Sequence, residues 1–306
     1  MKLGYLTVAL GNMPLEKKAA WANENGFEAL EIACWPKRND RDYSSSDIDV
    51  KTLDETGAAR IKKLMRDNGL TISSLAYYDN NLDRDPEKRA FINGHVKKVI
   101  DAAVMLGADL VGTFTGRNIE KSIKDNFPEF QSVFTELAEY AERRNIRLMI
   151  ENCDMRGWQR AGEPGTISYS PELWEEMFRR VPAPNFGLNY DPSHLVLMLM
   201  DYLSPIEEFR DRIFHVHAKD AVIRKGSLDR YGIFDRQLGK EGTADYRDFK
   251  MPGLGEIDWD RVIKSLRSIG YDNVLSIEHE DREYAGSEEK VKEGLLAARD
   301  NLKRYI

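Results

Sequence analysis

Four short apolar segments each run directly into a side chain that binds metals. Arg147-Leu148-Met149-Ile150 ends in Glu151, Gly187-Leu188-Asn189-Tyr190 in Asp191, Ile213-Phe214-His215-Val216 in His217, and Val274-Leu275-Ser276-Ile277 in Glu278. Side chains alternate between the two faces of a strand. Met149 therefore shares a face with Glu151, Asn189 with Asp191, His215 with His217, and Ser276 with Glu278. If these segments are strands ending at one mouth, two glutamates, an aspartate and a histidine point into it together. Three converging carboxylates repel one another unless a cation compensates. One imidazole with three carboxylates suits a single borderline-to-hard divalent ion, Mn2+ or Mg2+ first, with Co2+ or Zn2+ also compatible. Any one of these acids alone reads as a strand-end salt-bridge partner; the repetition at four strand ends makes the case for a metal.

Other side chains fall near the same mouth. His194, in Asp191-Pro192-Ser193-His194, is suited either to binding substrate or to a hydrogen bond at a helix start. Lys219 follows His217 by two residues and would polarise a substrate hydroxyl or pair with a carboxylate. Trp35, Tyr77, Tyr78 and Trp158 lie just after strand ends, where they would stack on a sugar ring or pack beneath a loop. His215 reads as a deeper polar residue supporting His217. His279 faces away from Glu278 and reads as structural, and His95 sits in a helix with no assigned role.

The elements that must position these groups alternate along the chain. Strands are expected at Leu3–Val8, Ala29–Ala33, Thr71–Tyr77, Asp109–Thr113, Arg147–Glu151, Gly187–Asp191, Ile213–His217 and Val274–Glu278. Between them run helical stripes: Ile92, Val96, Val99, Ala103 and Leu106; Phe130, Val133, Phe134, Leu137 and Ala141; Val262, Ile263, Leu266 and Ile269. Asp85-Pro86 and Ser170-Pro171 place an N-cap before a proline, and Ser204-Pro205-Ile206-Glu207 has the form of a capping box. Asn25-Gly26, Asn68-Gly69, Leu106-Gly107 and Ile269-Gly270 are stops. Eight strands alternating with eight helices predict a (β/α)8 barrel, one domain over residues 1–306. A doubly wound sheet is the competitor, but no Gly-x-Gly-x-x-Gly follows the first strand. The segments after strands 2, 5 and 7 are long: Cys34–Val50, Asn152–Tyr169 and Ala218–Glu256. The last carries Arg230, Tyr231, Phe234, Arg236 and Lys240 without helical or strand period, and reads as a lid or as a surface for subunit contact.

Composition narrows the function classes. With 306 residues and a formal charge of −7, the chain is long enough for a large core and ill-suited to phosphate backbones, so no nucleic-acid partner is expected. No apolar run reaches the length of a bilayer span, so no membrane partner is expected, and two cysteines cannot build a disulfide framework. Met1-Lys2-Leu3-Gly4-Tyr5 leads straight into a strand with no secretory h-region, and the cytoplasm is the expected compartment.

The stretches Gly26-Phe27-Glu28-Ala29-Leu30-Glu31-Ile32, Ile150-Glu151-Asn152, Tyr190-Asp191-Pro192-Ser193-His194, His215-Val216-His217-Ala218-Lys219-Asp220, Pro252-Gly253-Leu254-Gly255-Glu256-Ile257-Asp258-Trp259 and Ser276-Ile277-Glu278-His279 together resemble the xylose-isomerase-like sugar isomerase/epimerase family. The resemblance spans nearly the whole chain. It implies a TIM barrel with a divalent ion, often Mn2+, on Glu151, Asp191, His217 and Glu278. It also implies Glu151 and Glu278 as acid and base, His194 as a substrate-binding residue, and Pro252–Gly255 as a segment closing the site. The chain departs from xylose isomerase proper, because no histidine precedes His95, and from endonuclease IV, because five histidines cannot supply a zinc cluster. Arg224 is out of step with the ketose epimerases' arginine, and the insert Ala221–Met251 is longer than theirs. The expected activity is isomerisation or epimerisation of a ketose or keto-sugar through an enediolate, in a protein that could assemble as a homo-oligomer. The alternatives are a lyase cleaving a 3-keto-glycoside on the same site, and a barrel that binds a sugar or partner without turnover.

Overall fold

Eight apolar segments pair side by side as parallel strands and close on themselves. The computed structural model describes residues 1–36, 46–159, 162–234, 238 and 246–306. Its strands are β1 (Lys2–Leu6), β2 (Ala29–Ala33), β3 (Thr71–Asn80), β4 (Leu110–Phe114), β5 (Arg147–Glu151), β6 (Phe186–Tyr190), β7 (Ile213–Ala218), β8 (Asp220–Ile223), β9 (Arg247–Lys250) and β10 (Val274–Ile277). Around the barrel the order is β1-β10-β7-β6-β5-β4-β3-β2, with β1 pairing back onto β2; β8 and β9 form a separate two-stranded sheet. The (β/α)8 expectation is met, and the doubly wound alternative is excluded by closure.

The helices are α1 (Leu15–Glu24), α2 (Glu55–Asp67), α3 (Pro86–Leu106), α4 (Ile123–Glu142), α5 (Pro171–Arg180), α6 (Pro192–Leu197), α7 (Ser204–Glu208), α8 (Lys225–Tyr231), α9 (Trp259–Ser268) and α10 (Glu288–Leu302). The expected stripes on α3, α4 and α9 are buried against the barrel, with Val133 and Ile269 half-buried at the edges. Asp85 caps α3, its carboxylate accepting from the Glu87 and Lys88 amides. Gly26, Gly69, Gly107 and Gly270 all take left-handed φ between 64° and 78° just before a new strand, as stops require. Ser204 does not cap α7 but opens it; Leu203 is the N-cap and supplies no side-chain bond, and Asp201 Oδ1 accepts from the Leu203 amide at 2.8 Å in the preceding turn.

The long segment after β7 differs from its sequence reading. It is not aperiodic: β8 pairs antiparallel with β9, Asp220 opposite Lys250 and Ile223 opposite Arg247, and α8 follows β8. The pairing joins residues as far apart as Asp220 and Lys250 through strands of only four residues each, so no local period announces it. Arg230, Tyr231 and Phe234 lie in or just after α8, whereas Arg236 and Lys240 lie outside the described residues. Among the described residues no helix is long and apolar enough to cross a membrane.

One buried carboxylate, Asp220, gathers the chain that follows the hairpin back onto the start of β8. Asp220 accepts from the Ala221 and Ile257 amides on Oδ1 (2.8 and 3.0 Å). Its Oδ2 accepts from the Gly253 amide and the Trp259 indole (both 2.9 Å). Gly253 has φ +83°, and a Cβ on Gly255 would sit 2.2 Å from Asp220 Oδ1. The Pro252–Gly255 segment is thus shaped to wrap Asp220, which holds the segment beside the strand that carries His217.

Candidate metal centre

Glu151, Asp191, His217 and Glu278 come from four strands that are neighbours in the barrel, β5, β6, β7 and β10 in that order. Glu151 ends β5, Asp191 and Glu278 directly follow β6 and β10, and His217 is the penultimate residue of β7. One donor atom from each lies within 4.8 Å of the others. His217 Nδ1 is 3.1 Å from Glu151 Oε1 and 3.2 Å from Glu278 Oε2.

Local structure aims each group. Asp191 is the N-cap of α6: its Oδ1 accepts from the Ser193 amide at 2.8 Å, while its buried Oδ2 has no hydrogen-bond partner among the described residues. The neighbouring Asn152 clamps the Asp191 backbone, donating to its carbonyl at 2.8 Å and accepting from its amide at 2.7 Å. The Ile-Glu-Asn and Asp-Pro-Ser-His stretches thus lock two adjacent strand ends together. The buried Asp191 Oδ2 faces the Lys219 ammonium at 3.2 Å and the His194 ring at 3.4 Å without a formed hydrogen bond, an arrangement that costs free energy. With one imidazole nitrogen and three carboxylates converging, this donor set fits a divalent cation.

A layer of polar groups beneath supports His217, and its centre is a residue that sequence reasoning left without a role. Glu31, in the middle of β2 and fully buried, accepts from His217 Nε2 at 2.9 Å, from Ser276 Oγ at 2.7 Å and from the Tyr78 hydroxyl at 2.7 Å. Asn189 Nδ2 donates to the Tyr78 oxygen at 2.7 Å, and His215 Nδ1 donates to Asn189 Oδ1 at 3.0 Å. Gly112 makes room for this: a Cβ there would lie 2.5 Å from the Tyr78 oxygen. A carboxylate on the far nitrogen fixes the imidazole's tautomer and turns Nδ1 towards the mouth. Glu31 alternates onto the inward face of an otherwise apolar strand, and that isolated acid was the available signal.

The electrostatics follow from this crowding. For His217, burial opposes the charged ring, but Glu31, Glu278 and Glu151 outweigh it and hold its pKa well above the usual value. Burial likewise opposes ionisation of Glu151, but His217, His194 and Lys219 keep that carboxyl well below its ordinary range. Asp191 is shifted upward, by burial first and then by Glu151 and Glu278 against the pull of Lys219 and His194.

The remaining candidates divide. His194 points Nε2 into the site, 3.4 Å from Asp191 Oδ2 and 3.5 Å from Glu151 Oε1, and turns Nδ1 towards Asp154 at 3.5 Å. Cys153, Asp154 and His194 form a second cluster of donors. Lys219 Nζ lies 3.2 Å from His194 Nε2 and donates to Glu278 Oε2 at 2.5 Å. Trp35 lines a cavity at the mouth with Leu6, Val8, Tyr78, Phe114, Glu278 and Glu280. Tyr77 does not: its hydroxyl donates to Asp79 at 3.2 Å and its ring packs edge-on against His95 at 4.5 Å. Its neighbour Tyr78 has the inward parity and takes the place expected for it. His279 also lines the cavity, although its parity suggested a purely structural position. His95 donates to the Cys34 carbonyl at 2.7 Å.

Glu31→Gln removes the charge behind His217 and is expected to weaken divalent-ion binding about 10–100-fold. Titration of the metal-free variant with Mn2+ checks it; an unchanged affinity would show that Glu31 does not act on His217.

A family model described as xylose isomerase-like TIM barrel matches residues 19–301. The chain belongs to this family. An inosose isomerase of Bacillus velezensis is 23% identical over 272 residues, 88% of this chain and 84% of that one. The crystal structure of the IolI protein with a bound zinc atom superposes with a TM-score of 0.71 at 20% identity, covering 100% of this chain and 99% of that one. The 3-keto-D-glucoside 4-epimerase YcjR of E. coli gives 0.70 at 15% identity, covering 100% and 98%. Epimerases, isomerases and dehydratases are thus among the relatives of this xylose isomerase-like barrel.

Proposed function

We propose that this chain is a divalent-metal-dependent sugar isomerase or epimerase acting on a ketose or keto-sugar through an enediolate. The observation that carries the reading is the position of Glu151 and Glu278 at the two ends of the four-strand arc, both facing His217 Nδ1. Carboxylates that reach in from the two ends of the arc can approach a substrate seated over the donor cluster from different sides. Glu151, Asp191, His217 and Glu278 would hold a divalent ion, Mn2+ by preference, which would supply Lewis-acid polarisation of a carbonyl and its neighbouring hydroxyl. One glutamate then takes the proton from the activated carbon, and the other delivers a proton to the opposite face or to the adjacent carbon. Lys219 and His194 face the substrate oxygens, and Trp35, Tyr78 and Phe114 present an apolar wall to the C–H face of the sugar and exclude water. The likeness to an inosose isomerase and a 3-keto-D-glucoside 4-epimerase supports a polyhydroxylated carbonyl substrate.

A second reading, elimination from a 3-keto-glycoside, is favoured by one further feature. A cavity of about 740 Å³ lined by Asp154, Arg156, Met198, Leu199, Phe234 and Arg247 adjoins His194 through Asp154 and has room for a second moiety.

The test is solvent exchange. The Mn2+-loaded protein is incubated in D2O with ketoses and 3-keto-glucosides while the sugar C–H signals are followed by NMR. Deuterium at one carbon with formation of a stereoisomer or positional isomer is expected; release of an aglycone selects elimination. Absence of exchange with metal bound would leave a binding barrel. Metal addition also has a stability readout: Mn2+ at about a hundred times its Kd stabilises the fold by ~2.7 kcal/mol. The expected outcome is a rise in Tm that EDTA reverses.

A further inference from the structure

Lys219 extends from the residue beyond β7 on the same face as His217, and its ammonium sits among the carboxylates that would hold a cation. Nζ is 2.5 Å from Glu278 Oε2, 3.2 Å from Asp191 Oδ2 and 3.9 Å from Glu151 Oε1. The side chain is buried, with the Phe249 ring 4.5 Å from Nζ. An ammonium at these distances supplies part of the positive charge that the three acids need, as a compact point charge. A divalent ion drawn to the same oxygens would meet that ammonium at short range, in a site where water screens little. The two cations therefore compete.

Glu280 offers a way out of the competition. It follows Glu278 by two residues, its Oε2 accepts from Lys219 Nζ at 3.3 Å, and it does not join the four-donor cluster. Its side chain is 35% exposed, so it reaches towards solvent rather than into the ligand set. We propose that Glu280 is a positioning residue that draws the Lys219 ammonium off the ligand oxygens as the divalent ion enters, and so sets metal affinity. The ammonium stays at the mouth, anchored on Glu280 and aimed at substrate oxygens. The inference rests on the reading of Glu151, Asp191, His217 and Glu278 as the metal site.

A double-mutant cycle tests it, with Mn2+ affinity of the metal-free full chain read from the free-ion EPR signal. Glu280→Gln is expected to weaken Mn2+ binding by about 10-fold, and Glu280→Asp to recover part of the loss. Lys219→Met is expected to tighten binding, and adding Glu280→Gln to it is expected to change nothing further. Lys219→Gln serves as the neutral variant should Lys219→Met fail to fold, which a thermal melt reports. Equal weakening by Glu280→Gln in both backgrounds would overturn the proposal, because Glu280 would then act through its charge alone. Weaker binding in both neutral Lys219 variants would also overturn it. A wild-type chain that takes up no divalent ion would remove the metal reading itself, and this inference with it.

Discussion

Glu151→Gln is expected to lower solvent-deuterium exchange by about 10²–10⁴-fold, the usual contribution of a positioned acid or base, in a protein that stays folded and still binds a divalent ion. The amide keeps the shape of the side chain and one oxygen donor at the end of β5, but it cannot take up a proton. The clamp between Asn152 and the Asp191 backbone is untouched, so the geometry of the arc should persist. Glu278→Gln is expected to lose as much. The two variants should differ in which partner of an epimeric pair still exchanges, because each retains the base on one face only. NMR exchange measured from both epimers checks this. Full exchange in Glu151→Gln would remove it as a catalytic base, and loss with both epimers in both variants would replace two bases with one.

The largest effect on stability is expected from Asp220→Ala. Three buried donors, the amides of Ala221 and Ile257 and the indole of Trp259, and the more exposed Gly253 amide converge on that one carboxylate. Each donor left unsatisfied costs about 1–3 kcal/mol. A total cost of ~4–5 kcal/mol, discounted for relaxation and water entry, would lower Tm by on the order of 10 °C for a chain of this size. Asp220→Asn keeps one acceptor oxygen and should lose roughly half as much. An unchanged melting curve for Asp220→Ala would mean that the hairpin and the Pro252–Gly255 segment are held by other contacts. Metal affinity should fall less than stability does, since Asp220 touches none of the four candidate ligands.

What was legible from sequence was whatever depends on local period. Strand parity alone put Glu151, Asp191, His217 and Glu278 on inward faces, and their convergence followed once the barrel closed. Glu31 escaped notice because it lies in mid-strand rather than at a strand end, and its importance arises only where β2 comes across the barrel from β7 and β10. Which of Tyr77 and Tyr78 faces the mouth was hidden for a different reason. β3 runs to Asn80, and its register against β4 shifts between Ala76 and Asn80, so counting alternation from a shorter strand does not decide which ring faces inward. The β8–β9 pairing and the Asp220 network are contacts between distant residues, and no periodicity records them. The Ser204 cap was misplaced because α7 starts at Ser204 itself, after an apolar N-cap, Leu203, that no capping pattern marks.

The two halves of the barrel rim face different demands. Strands β5, β6, β7 and β10 carry the acids and the imidazole, whose positions are interlocked through Asn152, Glu31 and Lys219. The opposite rim contributes Val8, Trp35 and Phe114, hydrocarbon and aromatic surfaces that bring no charge; the Trp35 and Phe114 rings lie 6.0 and 5.0 Å from that of Tyr78, which is moored to Glu31. Changes at Val8, Trp35 and Phe114 can therefore reshape what is accommodated without removing a charged group, as long as the Tyr78 ring that Trp35 and Phe114 flank keeps its place. A barrel divided in this way can acquire new substrates by drift along one side, and a library built to retune it belongs on those three positions.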